Sequence, residues 1–392
     1  MPGAGRQRPA TTAGRCPGAS PNSSKSKDCT TVTDPIRGTR HGSAPAPLSV
    51  LDSAMTGTGQ TAAEALTGSI ELARLADRRG FTRYWMNEHH AMPGVSTSSP
   101  PVLLARLTAE TSRLRLGAGG IMLPNHPPLV VAEQFGMLDA LAPGRIDLGL
   151  GRAPGTDHAT AAALRRGASG AEDFPQQVAE LLHFLGDDFP AEHPYAERVY
   201  AVPGPAQDRL NGLTPSTGRL PVWLLGSSGY SAQLAAQLGL PFAFAAHFNP
   251  RDVVAALRLY RERFTPSAAL TEPYALVSFT IAASDDEREA RRQAGTLAHA
   301  MLRMFQRKSY LLPSPEEVDA YTYDAEERQA VNSWLDHVPH GTPDQVTAHL
   351  NQVQRDSGAD ELMICSVGHS VQARLRSTEL IADAYGMPDT PR

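Results

Sequence analysis

The stretch LRLGAGGIMLPNHPPLVVAEQFGMLDALAPGRIDLGLG, residues 114–151, decides the fold. It opens on a short apolar run too glycine-rich and too brief for a helix. Pro127-Pro128 then starts a segment, 128–141, with the length and apolar content of a buried helix, and Pro143-Gly144 stops it. A second apolar run, RIDLGLG, follows at once. Two strands without polar alternation, joined through a helix, predict parallel neighbours buried on both faces and linked by a right-handed crossover.

The same unit recurs in both directions. Upstream lie PLSVLD (47–52), a helix over 61–79 closed by Gly80, the strand YWMNEH, and the helix SPPVLLARLTAETS. Downstream come a helix over 174–186, a Pro/Gly-rich excursion to 219, PVWLLG (221–226) with a helix over 231–238, and PFAFAAHF with a helix over 252–264. YALVSFTIAA leads into a long Arg/Ala helix from 285, and ELMICSV into the closing helix RLRSTELIADAY. Eight strand-then-helix units predict the α/β class and a (β/α)8 TIM barrel over 46–392, with a doubly wound open sheet as the alternative. Residues 309–340, weakly periodic and bearing Tyr310, Tyr321 and Tyr323, read as a lid-like insertion after strand seven.

Residues 1–45 differ in kind. They are rich in Pro, Gly, Ser and Thr, nearly devoid of large apolar side chains, and read as a disordered N-terminal extension. They hold seven of the 36 Lys and Arg and two of the 41 Asp and Glu, which leaves the barrel 29 bases against 39 acids. An acidic body argues against nucleic acid as a partner. No apolar run is long enough for a signal peptide core or a membrane span, and three cysteines make no disulfide framework. The chain reads as cytoplasmic, without a membrane partner.

In a parallel barrel, chemistry belongs at the C-terminal ends of the strands. FTRYWMNEHHAMPG (81–94) places Glu88, His89 and His90 there, open at first sight to a metal site, acid–base chemistry or packing. Strand alternation sends His89 and His90 to opposite faces, and no HxH or HExxH spacing accompanies them. His126 and His247 lack an evident carboxylate companion, so the reading is no metal, with His89 facing the mouth and His90 packed on a neighbouring loop. DLGLGRAPG (147–155) imitates a dinucleotide fingerprint, but its spacing is G-x-G-x-x-x-G with Pro154 in the turn. Its glycines suit the approach of a flat ligand, with Arg152 as an anion contact.

LLGSSGYSAQLAAQLG (224–239) runs from a strand straight into a helix through Gly226, Ser227, Ser228, Gly229 and Ser231. Backbone N–H groups and hydroxyls at a helix N-terminus predict a phosphate site. In GAGGIMLPNHPP (117–128) the glycines leave room for a planar ring against the backbone, with Asn125 and His126 at its edge. Trp85 and Phe244 read as core, Trp334 as lid or core.

Together YWMNEHH, the whole of 112–157, VWLLGSSGYSAQLAAQLGLPFAFAAHF and GTPDQVTAHL…SGADELM resemble the bacterial luciferase-like flavin-dependent monooxygenases, and most nearly the single-chain branch associated with natural-product oxidation. The resemblance spans about 47–386. It implies a (β/α)8 barrel that binds FMN at its mouth. Arg152, Gly226, Ser227, Ser228, Tyr230 and Ser231 would hold the phosphate, while Gly119-Gly120 would form a cis peptide under the ring and Asn125 would border it. His89, tuned by Glu88, would be the acid or base. The resemblance implies a two-component monooxygenase: FMNH2 from a separate flavin reductase, O2, a flavin C4a-peroxide, and one oxygen atom inserted into a small organic substrate. It also implies a homodimer. Gly151 stands where the luciferase α chain has its reactive cysteine, so neither light emission nor aldehyde specificity is implied. A deazaflavin-dependent oxidoreductase of the same superfamily and a non-catalytic flavin-binding protein are the alternatives.

Overall fold

The computed structural model describes residues 36–153, 155–164, 171–214 and 220–390. The helices are α1 (Ala62–Arg78), α2 (Pro100–Glu110), α3 (Pro128–Leu141), α4 (His158–Leu164), α5 (Phe174–Gly186), α6 (Pro205–Leu210), α7 (Gly229–Leu238), α8 (Val253–Arg263), α9 (Glu287–Phe305), α10 (Pro315–Asp319), α11 (Ala325–Leu335), α12 (Pro343–Ser357) and α13 (Val371–Ala384). The strands are β1 (Leu48–Asp52), β2 (Arg83–Met86), β3 (Arg115–Met122), β4 (Ile146–Gly151), β5 (Val222–Gly226), β6 (Phe242–Ala245), β7 (Ala275–Ala283), a two-residue β8 (His340–Gly341) and β9 (Glu361–Ser366).

Strands β1–β6 pair in chain order, β9 lies between β1 and β7, and pairing of β6 with β7 closes the ring. All eight barrel strands are parallel, and β8 only extends the end of β7. The TIM barrel follows from runs such as LSVLD and ALVSFTIAA, buried at every position: a strand covered by helix outside and core inside has no solvent face to make polar. Helix starts carry the expected chemistry, with capping boxes Thr61–Glu64 on α1 and Thr342–Gln345 on α12.

The two ends of the barrel differ. At the N-terminal end of the strands, the fully buried Arg83 guanidinium lies 2.9 Å from Asp147 and 2.8 Å from Glu361, beneath the Trp223 ring. Burial alone would raise the Asp147 carboxyl, but the charges of Arg115 and Arg83 overcome it and hold it low. This cluster plugs that end, and the other end opens.

Two expectations need adjustment. Residues 309–340 are not irregular, because they contain α10 and α11, each opened by a capping box, Ser314–Glu317 and Asp324–Glu327. Residues 1–35 of the anticipated tail lie outside the described residues. Residues 36–45 are packed: Ile36 and Ala44 are buried, and the Ile36 carbonyl accepts a hydrogen bond from Arg83. No helix among the described residues is long and apolar enough to cross a membrane.

Candidate active site

Two of the clefts at the C-terminal ends of the strands contain the expected site residues. One, of about 220 Å³, runs from Trp85 and Gly119 to Arg152, Ser227 and Ser231. The other, of about 480 Å³, lies between the loop after β2, helix α9 and Tyr310 and Trp334 of the segment 309–340. Leu51, Asn87, His89, His247 and Phe248 line both, so these side chains form the partition between them.

Strand β4 delivers Arg152 to the far end of the smaller cleft. Among the described residues its guanidinium has no carboxylate partner and lies 4.2 Å from the centre of the Tyr230 ring. Opposite, β5 runs into α7. Ser228 occupies the N-cap yet makes no capping hydrogen bond, and among the described residues neither the Ser227 hydroxyl nor that of the buried Ser231 meets a protein partner. A helix N-terminus with its positive dipole end, unspent hydroxyls and an unpaired guanidinium together suit a dianion. Glycine is needed on the wall: a Cβ on Gly226 would sit 2.4 Å from Ser231 Oγ, and one on Gly119 would sit 2.9 Å from Trp85. The Gly119–Gly120 peptide is cis, and the β3–β4 register shifts between Ala118 and Ile121.

His89 stands at the partition, its Nδ1 3.2 Å from the Gly155 carbonyl. A carbonyl only accepts, so Nδ1 carries the proton and Nε2 is left as the acceptor. Burial pushes the His89 pKa down and outweighs the Gly155 carbonyl and the Glu88 charge, which both raise it. His247 is pushed down to about 4 by burial, with Ser278 Oγ 3.2 Å from its Nδ1. The partition therefore presents two neutral imidazoles at neutral pH.

Glu88 is not hydrogen-bonded to His89. Its buried carboxylate accepts from His90 Nε2 and His126 Nε2, each at 2.8 Å, from the Met122 N–H at 3.1 Å and from Asn125 Nδ2 at 3.4 Å. The alternation that separates His89 from His90 also puts Glu88 and His90 on one side, and β3 carries His126 to meet them. Burial opposes the Glu88 charge, but the hydrogen bonds from His126, His90 and Met122 outweigh it, and its pKa falls below the ordinary value. Ligand atoms of Glu88, His90 and His126 lie within 4.8 Å of one another, the spacing of an ion site. In this structure they satisfy each other.

The expected site residues are thus divided. Arg152, Gly226, Ser227, Ser228 and Ser231 line the smaller cleft with Gly119 and His89; Tyr230 lies under Arg152; Gly120 packs against Gly149. Asn125 belongs to the Glu88 cluster, and His126 has the carboxylate companion it was expected to lack. Phe244 is core as expected, whereas Trp85 is core and cleft wall at once, and Trp334 lines the larger cleft. The sequence reading missed Leu51, Asn87, Met301 and Met304. Only Asn87, beside the Glu-His-His run, carried a signal that pointed to it.

Residues 47–361 match the family model for luciferase-like monooxygenases. The chain belongs to the luciferase-like monooxygenase family. A luciferase-like monooxygenase of Escherichia coli K12 is 45% identical over 337 residues, 86% of this chain and 96% of the relative. The N-acetyl-S-alkylcysteine monooxygenase of Bacillus subtilis is 33% identical over 86% of this chain and 97% of its own length. The crystal structure of apo-MsnO8 superposes with a TM-score of 0.76 at 35% identity, covering 88% of this chain and 99% of that one. Membership makes the chain a flavin-dependent monooxygenase.

Proposed function

We propose that this chain is the oxygenase of a two-component system: it takes up FMN reduced by a separate flavin reductase and uses it, with O2, to oxidise a small organic molecule in the cytoplasm. The observation that carries the reading is the shared partition. One cleft ends in an anion site of unspent donors, the other is an apolar chamber, and His89 and His247 stand between them.

FMN fits the residues present. Arg152, Ser227, Ser228, Ser231 and the first N–H groups of α7 would hold its phosphate, and the glycine wall at Gly119 would flank its ring. Reduced FMN supplies the electrons that activate O2. The protein's part is to hold, shield and handle protons. Neutral His89, anchored through Nδ1, offers Nε2 as base or hydrogen-bond partner at the partition. α9, through Leu297, Met301 and Met304, and α11, through Trp334, wall the larger cleft and would limit the access of water to it. Val102 on α2 and Met137 and Leu141 on α3 are exposed apolar side chains of the kind a homodimer interface would cover.

Oxygen uptake after mixing with chemically reduced FMN, against a reduced deazaflavin, tests the reading. FMN-dependent uptake and micromolar FMN binding are expected, and His89→Ala should cut turnover more than FMN binding. Activity with the deazaflavin alone would replace the reading with a hydride-transfer enzyme, and flavin binding without oxygen turnover with any substrate would replace it with a carrier.

A further inference from the structure

The larger cleft also constrains what it receives. Its walls are apolar along the length, with Met55, Met92, Leu297, Met301 and Met304 on facing elements and Trp334 from α11. Unbranched thioether side chains adapt to the shape of what they contact, so the walls select for apolarity more than for outline. The inner end, at the partition, offers only neutral polar groups: Ser53, Asn87, Thr280 and the imidazoles of His89 and His247. An ionised group there would lose its water with no counter-charge to replace it, a penalty that strongly disfavours burying it.

Charge is confined to the mouth. Among the described residues, Asp157 and Lys308 are the only Asp, Glu, Lys or Arg lining the cleft. They are not equivalent. The Asp157 carboxylate is spent on the start of α4, accepting from the N–H groups of Ala159 and Thr160 and from the Thr160 hydroxyl. Lys308 is exposed, and its ammonium has no hydrogen-bonded or ion-paired partner among the described residues. Glu327, whose carboxyl feels the Lys308 charge, is already held by Gln306, Tyr321 and the Asp324 N–H of its own capping box. The mouth thus presents one uncommitted cation among the described residues.

We propose that the substrate is an amphipathic monoanion: an apolar body fills the methionine-lined cleft, an uncharged end reaches the His89–His247 partition, and an anionic terminus stays at the mouth beside Lys308. This rests on the monooxygenase reading for which end reacts, but the binding claim stands on the cleft alone. A neutral molecule of the same length loses only the mouth contact. A cationic one meets Lys308 unfavourably, and one with charge at both ends cannot seat its inner end.

The test uses the full chain without flavin and three probes of one length: 10-oxoundecanoate, 2-undecanone and 11-aminoundecan-2-one. Binding is read by calorimetry and by quenching of tryptophan fluorescence. The anion is expected to bind several-fold more tightly than the neutral ketone, and the ketone more tightly than the amine. Lys308→Met, at an exposed position, should bring the anion to the affinity of the ketone and leave the ketone unchanged. Met301→Lys, which buries a charge in the wall, should weaken all three. Equal affinity of anion and amine, or an anion preference that survives Lys308→Met, overturns the assignment of the mouth. Absence of ketone binding overturns that of the cleft. If the anion binds as expected while oxygen uptake with reduced FMN is absent, the monooxygenase reading fails and the binding proposal stands.

Discussion

Two polar clusters sit on the same rim, and they are built on opposite principles. On the β2–β3 side, Glu88, His90, His126 and the Met122 N–H face one another, and the buried carboxylate's demands are met inside the protein. On the β4–β5 side, the side chains of Arg152, Ser228 and Ser231 line one cleft and have no hydrogen-bonding partners among the described residues, one of them at an N-cap that does not cap. Arg152 and Ser228 are exposed to solvent and Ser231 is buried beside them, so their donors are open to water or to an anion at the α7 N-terminus. The closed cluster shapes the wall, and the open one is the proposed receiver of the flavin phosphate.

The comparison can be broken most directly at Arg152. Arg152→Ala should weaken FMN binding on the order of 10- to 100-fold, the value of about 1.5–3 kcal/mol for a hydrogen bond to a charged group. Thermal stability should stay near that of the wild type, since no hydrogen-bonded partner is abandoned. Equilibrium titration of FMN fluorescence measures the first and calorimetry the second. A large drop in melting temperature would show that the open cluster is structural after all.

Glu88→Gln should do the reverse. It leaves His90 and His126 competing for a poorer acceptor, at about 1–3 kcal/mol of stability, with a smaller effect on FMN affinity. The sign with pH follows from the lowered pKa of Glu88: its contribution is fully present above about 4.5 and is lost as pH falls through the lower folded value. Melting temperature followed from neutral pH downward should therefore fall more steeply for the wild type than for Glu88→Gln. Parallel curves would remove Glu88 from the account.

The smallest effect separates the two principles within one residue. Ser228→Ala at an ordinary N-cap costs about 1 kcal/mol of stability. Because the Ser228 side chain makes no capping bond, the melting temperature should hold while FMN affinity drops on the order of 10-fold, the low end for a hydrogen bond to a charged group.

The barrel was legible because buried parallel strands announce themselves as unbroken apolar runs, and LSVLD, VWLLG and ELMICS needed no partner to be recognised. The candidate anion site could be proposed from sequence for a similar reason, since Gly226 to Ser231 are contiguous. Glu88, His90 and His126 were not, because His126 meets Glu88 only through the parallel register of β2 on β3 and the turn that ends β3. That register also brings Asn125 within 3.4 Å of the Glu88 carboxylate. Helix α10, five residues long, is too short for periodicity to speak, and α11 buries only Val331 and Leu335, although Ser314-x-x-Glu317 and Asp324-x-x-Glu327 could have been read as starts. The larger cleft was illegible, because Met55, Met92 and Met301 come together only when the ring closes.

The carbonyl of Ile36 has a practical consequence at the opposite end of the molecule. Arg83 shares its guanidinium among Asp147, Glu361 and that carbonyl, in a place with no solvent to stand in for any of them. A shortened gene that begins at Pro47, where the apolar pattern begins, would delete an acceptor from the ion cluster and uncover the underside of the barrel. One that begins at Pro35 keeps both. For expression trials, the boundary of this enzyme is drawn by a backbone oxygen, well ahead of the point where its hydrophobicity starts.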